Sequence, residues 1–151
     1  MTDKDLMTQV VNAGSKIYRE LGPGLFPEVY KDCFIYELKN RGLSVESQKA
    51  MSLVYETIQF ESAYKIDILI ENKAVINFKL PDIPDDLHKK YIETYIKHCN
   101  FSMGILINFN TIDFRDAIHI IEKPKNKIIA PSLKHFNSYY GYNYKANRKK
   151  G

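Results

Sequence analysis

The chain has 151 residues, 44% of them hydrophobic and 26% charged, and carries a formal net charge of +4. That length supports one domain with a single substantial core, and the composition is that of an ordinary globular fold. No apolar run approaches the ~20 residues that span a bilayer, and the polar start Thr2-Asp3-Lys4-Asp5 is not a signal peptide, so a cytoplasmic protein without a membrane partner is expected.

Leu6, Met7, Val10, Val11, Ile17, Tyr18 and Leu21 recur at helical spacing and predict an amphipathic helix from about residue 5 to 21. Gly22-Pro23-Gly24 ends it, because glycine takes the left-handed cap and proline prevents continuation. Pro27 suits the first turn of a second helix, whose buried stripe reads Val29, Tyr30, Cys33, Phe34 and Leu38, with Gly42 closing it.

Three strand-like stretches follow. Residues 44–55 are mixed in character, with Met51 to Tyr55 compatible with a strand. Thr57 to Ile70 contains the second, with Tyr64, Ile66, Ile68 and Ile70 on one face and Asp67 on the other. Glu71-Asn72-Lys73 is a turn signal, and Ala74 to Lys79 is the third strand. Helical spacing resumes over 85–98 through Leu87, Tyr91, Ile92, Tyr95 and Ile96. The continuous apolar run Met103 to Ile107 suits a strand buried on both faces, and residues 117–121 give another. The order helix, helix, three strands, helix, two strands predicts an α/β sandwich with a mixed sheet flanked by helices.

The end of the chain differs in charge. Every Asp and Glu lies at or before Glu122, and from Lys123 onward eight Lys or Arg give +8, which leaves residues 1–122 at −4. This divides the chain into a domain over 1–122 and a basic, tyrosine-rich extension over 123–151. In the extension Lys145, Arg148, Lys149 and Lys150 stand beside Phe136, Tyr139, Tyr140, Tyr142 and Tyr144. Basic residues interleaved with aromatics can pair with phosphates and stack on bases.

Asp67 on one strand and Asn77-x-Lys79 on the next form the chain's chemical signature. Residues two apart in a strand share a face, so Asn77 and Lys79 point together and Asp67 can face them. Many metal-dependent nucleases place an Asp and a Glu-x-Lys on such a pair. There two acids hold Mg²⁺, the metal lowers the pKa of a bound water, and the lysine stabilises charge at the scissile phosphate. Cys33, Cys99 and the four histidines have no metal-ligand spacing, and the two cysteines read as reduced, buried thiols.

The run Glu20-Leu21-Gly22-Pro23-Gly24-Leu25-Phe26-Pro27-Glu28-Val29-Tyr30 resembles the signature of the GxxExxY family of the PD-(D/E)XK nuclease-like superfamily. Tyr36-Glu37-Leu38, Arg41-Gly42-Leu43, Asp67 to Ile70, Asn77-Phe78-Lys79, His88, Tyr95-Ile96-Lys97 and Gly104 to Asn110 continue the likeness over about residues 5–122. The resemblance implies a restriction-endonuclease-like core and a site at Asp67, Asn77 and Lys79, with Tyr30, His88 and Tyr91 beside it.

The departures fall on that site. Counting from Gly24, the family's Glu is Pro27, and Glu28 one place later is turned by about 100° around a helix. The family's second acid is Asn77, and the Gln three residues after the His is Tyr91. Asp67 alone remains as a metal ligand, and a weak one, because affinity for Mg²⁺ depends on ligand charge. The expectation is a vestigial site in a non-catalytic domain that binds nucleic acid or a protein partner, with no cofactor. The alternative is a Mg²⁺- or Mn²⁺-dependent nuclease with an atypical site of Asp67, Lys79, Asn77 and Glu28; a plain scaffold is the third.

Overall fold

The structure is a computed structural model and describes residues 1–123. Helices α1 (Asp3–Leu21) and α2 (Pro27–Asn40) come first, then strands β1 (Val45–Tyr55), β2 (Ile58–Ile70) and β3 (Ala74–Phe78). Helix α3 (Asp85–Cys99), strand β4 (Met103–Ile107), a 3-10 turn (Phe114–Asp116) and strand β5 (Ile118–Glu122) complete the chain. The expected element order is the observed one. The proposed extension beyond Lys123, with its basic positions Lys145, Arg148, Lys149 and Lys150, lies outside the described residues.

One five-stranded sheet runs in the order β1-β2-β3-β4-β5. Only β3 and β4 are parallel, joined by α3 as the crossover; the other three pairings are antiparallel. The result is a mixed sheet with helices on both faces. Leu6, Val10, Ile17, Phe34 and Leu38 of α1 and α2 pack with Ile68, Ile70, Ile76, Ile105 and Ile107 on one face. On the other face Ile92 and Ile96 of α3 pack with Leu106 and Ile121. Gly104 of β4 permits that contact, since a Cβ there would collide with Ile92 Cγ2 and lie 2.8 Å from Ile96 Cδ1.

Several boundaries and faces differ from expectation, each for a local reason. Helix α1 begins at Asp3, not near residue 5, because Thr2 Oγ1 accepts from the Asp5 N–H at 3.0 Å while Asp5 Oδ2 accepts from the Thr2 N–H at 3.2 Å. This reciprocal pair supplies two orphan backbone donors at the helix start. Strand β1 is longer than Met51 to Tyr55; it is an edge strand with little burial, so ladder bonds to β2 hold it, not an apolar pattern. Val29 and Leu87 are exposed, whereas the stripe of α3 is His88, Ile92 and Ile96. Cys33 and Cys99 are unpaired and only half-buried.

The largest departure is in β2. Ile68 and Ile70 belong to the core under α1 and α2, but Ile66 packs with Leu69, Val75 and Phe101. Strict alternation therefore fails at Asp67. On one side, β1 pairs Ser47 with Ile68 and Lys49 with Ile66, and the intervening Gln48 has φ 53°. On the other side, the ladder between β2 and β3 stops at Ile68 and Ile76. Both flanking ladders are interrupted where the candidate acid sits.

Candidate functional site

At that break, side chains make the bonds that the ladder does not. The Asp67 N–H donates to Asn77 Oδ1 at 3.1 Å, and the Phe78 N–H donates to Asp67 Oδ2 at 2.9 Å. The remaining oxygen, Oδ1, lies 3.4 Å from Lys31 Nζ of α2. The same ammonium stands 5.9 Å from the centroid of the Phe78 ring. Asp67 thus has a backbone donor on one oxygen and a cation on the other. Lys31 was not anticipated; its one signal is its place four residues after Pro27, on the same helix face.

Lys79 goes elsewhere. Its ammonium donates to Leu80 O at 2.6 Å and to Ile83 O, and it lies 3.5 Å from Asp85 Oδ1. Among the described residues no bond joins it to Asp67. Asp85, at the start of α3, was also missed, and its side chain is largely exposed. His88, one turn along α3, is 2% exposed, and its Nδ1 has no partner among the described residues. Burial, reinforced by the charge of Lys79, pushes the imidazole below its ordinary pKa, and the weaker pull of Asp67 and Asp85 does not reverse this. Tyr91 meets the His88 ring edge-on, with centroids 5.8 Å apart.

Beside these residues a cleft of about 550 Å³ opens where the parallel strands β3 and β4 end and α2 begins. In open α/β sheets the crevice beyond the carboxyl ends of strands is the usual ligand position. Pro27, Tyr30, Phe78, Asn108 and Asn110 line it, and among the described residues Lys79 is the one charged residue in that lining. Pro27 heads α2 with no side-chain cap at Phe26, so the positive end of the helix dipole borders the cleft. Asn108 Oδ1 accepts from the Asn110 N–H at 3.0 Å, which leaves the Asn108 amide group to donate.

Tyr30 shapes the rim. Its hydroxyl donates to Gly22 O at 2.6 Å and accepts from the Leu25 N–H at 3.0 Å, pinning the loop between the first two helices. Gly22 and Gly24 hold φ of 71° and 101°, angles that favour glycine. Glu28 is exposed and absent from the cleft lining, whereas Pro27 is part of it. Glu71 lies in a left-handed turn away from the cleft, and Glu93 is 3.2 Å from Lys90.

The PD-(D/E)XK nuclease superfamily model matches residues 4–121. The chain belongs to that superfamily. A structural comparison found a protein described as "Crystal structure of SSO0001", with a TM-score of 0.46 and 19% identity over 78% of this chain. The match spans 59% of that protein. No curated protein matches the chain. Among the described residues no helix is long and apolar enough to cross a membrane.

Hydrolysis in this superfamily implies a divalent metal, and the residues present do not fit one. A hard cation needs several oxygen ligands with negative charge among them. Asp67 has one oxygen on a backbone N–H and the other against an ammonium. The Asn77 carbonyl is already an acceptor for Asp67, and its other group is a donor. No group of three His, Cys, Asp or Glu that could hold a metal occurs among the described residues.

Proposed function

We propose that the chain is a GxxExxY-type member of the superfamily that has given up hydrolysis and holds a nucleic-acid backbone in the cleft beyond β3 and β4. The observation that supports loss of chemistry is the state of Asp67. Both of its oxygens are engaged, one by the Phe78 N–H and the other by the Lys31 ammonium. What supports anion binding among the described residues is the lining: Lys79, whose ammonium is shared with Asp85 at 3.5 Å, the Asn108 and Asn110 side chains and a helix N-terminus. A phosphate suits that combination of positive charge and neutral donors. The basic extension adds charge of the same sign next to aromatic rings.

The test is cleavage of labelled single- and double-stranded DNA and RNA with Mn²⁺, beside an Asp67→Ala control, together with binding of the same strands in EDTA. Retention without cleavage above the control is expected. Cleavage that vanishes in the control would instead establish a nuclease with a rearranged site. Neither cleavage nor binding would point to a protein-binding scaffold.

A further inference from the structure

The disagreement between the superfamily's metal chemistry and this chain's donors has a specific source. We infer that the Lys31 ammonium serves as the site's built-in cation, neutralising Asp67 so that a phosphate can be bound without a divalent ion. The inference rests on the preceding reading only in taking a phosphodiester as the anion.

The geometry that carries it is local and independent of sequence likeness. Lys31 Nζ lies 3.4 Å from Asp67 Oδ1, and the two side chains are equally shielded, at 16% exposure each. The ammonium is also within 6 Å of the face of Phe78, at 5.9 Å from the ring centroid, and Phe78 lines the cleft. The ring supplies a partner that favours a cation at that place. Pro27, one helical turn before Lys31, is itself part of the cleft wall. The ammonium is thus fixed by α2, the helix whose start borders the ligand space.

The electrostatic consequence follows from sign. Neither Lys31 nor Asp67 is in the cleft lining, but Asp67 accepts from the N–H of Phe78, which is, so a bare carboxylate there would repel a phosphate in the cleft. A divalent cation would cancel the charge of Asp67 and leave a positive excess. Lys31 cancels it alone, so the amide donors and the start of α2 meet the ligand without an opposing charge from Asp67. Lys31 is a positioning residue in this scheme: it acts on the anion through Asp67.

The experiment measures binding of a fluorescent single-stranded oligonucleotide to the full chain, in EDTA and in Mn²⁺, with Lys31→Met and the double variant Lys31→Met/Asp67→Asn. Wild type should bind equally in both media. Lys31→Met should bind about tenfold more weakly in EDTA, the change expected for losing one charged contribution. The added Asp67→Asn change should return it to within about threefold of wild type in either medium, since it removes the uncompensated charge.

Equal binding by Lys31→Met in EDTA, or failure of the double variant to recover, would overturn the inference. A purely structural role predicts a loss of binding that tracks unfolding, so circular dichroism of each variant is measured alongside and the tenfold loss is expected in folded protein. Should Lys31→Met not fold, Mn²⁺ titration of the wild type decides by NMR: Asp67 and Phe78 amides that stay sharp support a site already filled by the ammonium. Broadening centred on them overturns it. The titration uses no nucleic acid, so absence of oligonucleotide binding would sink the proposed function while leaving the inference about Lys31 to be judged on the Mn²⁺ result.

Discussion

Lys31 Nζ and Asp67 Oδ1 stand 3.4 Å apart across the gap between α2 and β2, each side chain mostly shielded from water. Asp67 also accepts from the Phe78 N–H, so truncating it removes two interactions at once. Asp67→Ala leaves a shielded ammonium unneutralised and a backbone donor without its acceptor. A loss of about 2–3 kcal/mol in unfolding free energy is expected. Asp67→Asn retains an acceptor for Phe78 and should cost less. Urea denaturation of the two variants checks the order, and a loss that is equal in both would assign the whole effect to charge.

His88 gives the fold a pH dependence of known sign. Its imidazole is held below the ordinary value of 6.5 by burial first and by Lys79 second, while Asp67 and Asp85 oppose this. In the unfolded chain it binds a proton as pH falls through about 6.5, whereas in the folded chain it stays neutral to lower pH. The unfolded state therefore binds more protons in that window, and stability decreases as pH is lowered through it. His88→Phe should flatten this part of the profile. Chemical denaturation at pH 5 and pH 8 measures it; an unchanged slope in the variant would place the titrating group elsewhere.

Tyr30 ties the rim of the cleft to α2 through one donated and one accepted hydrogen bond. The ring itself is buried, 4.8 Å from the Phe109 centroid, so Tyr30→Phe keeps the packing and removes the hydroxyl alone. The Gly22 carbonyl and the Leu25 N–H then lose their partner. The expected cost is about 1–2 kcal/mol, the usual range for a hydrogen-bond pair of this kind. Amide hydrogen exchange should quicken at Leu25 more than in the sheet. Protection of Leu25 equal to that of the wild type would show that the loop is held by its backbone alone.

The sequence revealed the sheet because the pattern there is simple: Ala74 to Phe78 and Met103 to Ile107 are buried on every residue. Asp67 and Asn77 were legible as a pair on neighbouring strands, but Lys79, expected to share their face, lies one residue past β3 and turns to Leu80, Ile83 and Asp85. Their partners were not legible. Lys31 reads as one more solvated helix lysine until α2 is packed on the sheet, and Asp85 as part of an ordinary acidic first turn. His88 was displaced by Leu87 in the helical stripe because an apolar count prefers leucine, although the helix faces the sheet through the histidine. The face of Ile66 departs from the alternation of β2 opposite Gln48, whose positive φ lies on another strand that no periodicity in β2 can report.

Salt dependence separates the contributions of the cleft and of the basic extension. Binding that neutralises phosphates falls with added salt, by a slope of about 0.7 per contact for single strands. Lys79→Ala removes the one charged residue of the cleft lining among the described residues, so the slope should decrease by about one such contact. Removing residues 134–151 takes away Lys134, Lys145, Arg148, Lys149 and Lys150, and the slope should fall further if they pair with phosphates. Losses that add in the combined variant would mean that the two act on different stretches of the nucleic-acid backbone. Fluorescence anisotropy over a salt series measures all four proteins. A slope changed by Lys79→Ala but untouched by the truncation would confine recognition to the cleft, whereas the reverse would assign it to the extension and leave the cleft without a ligand.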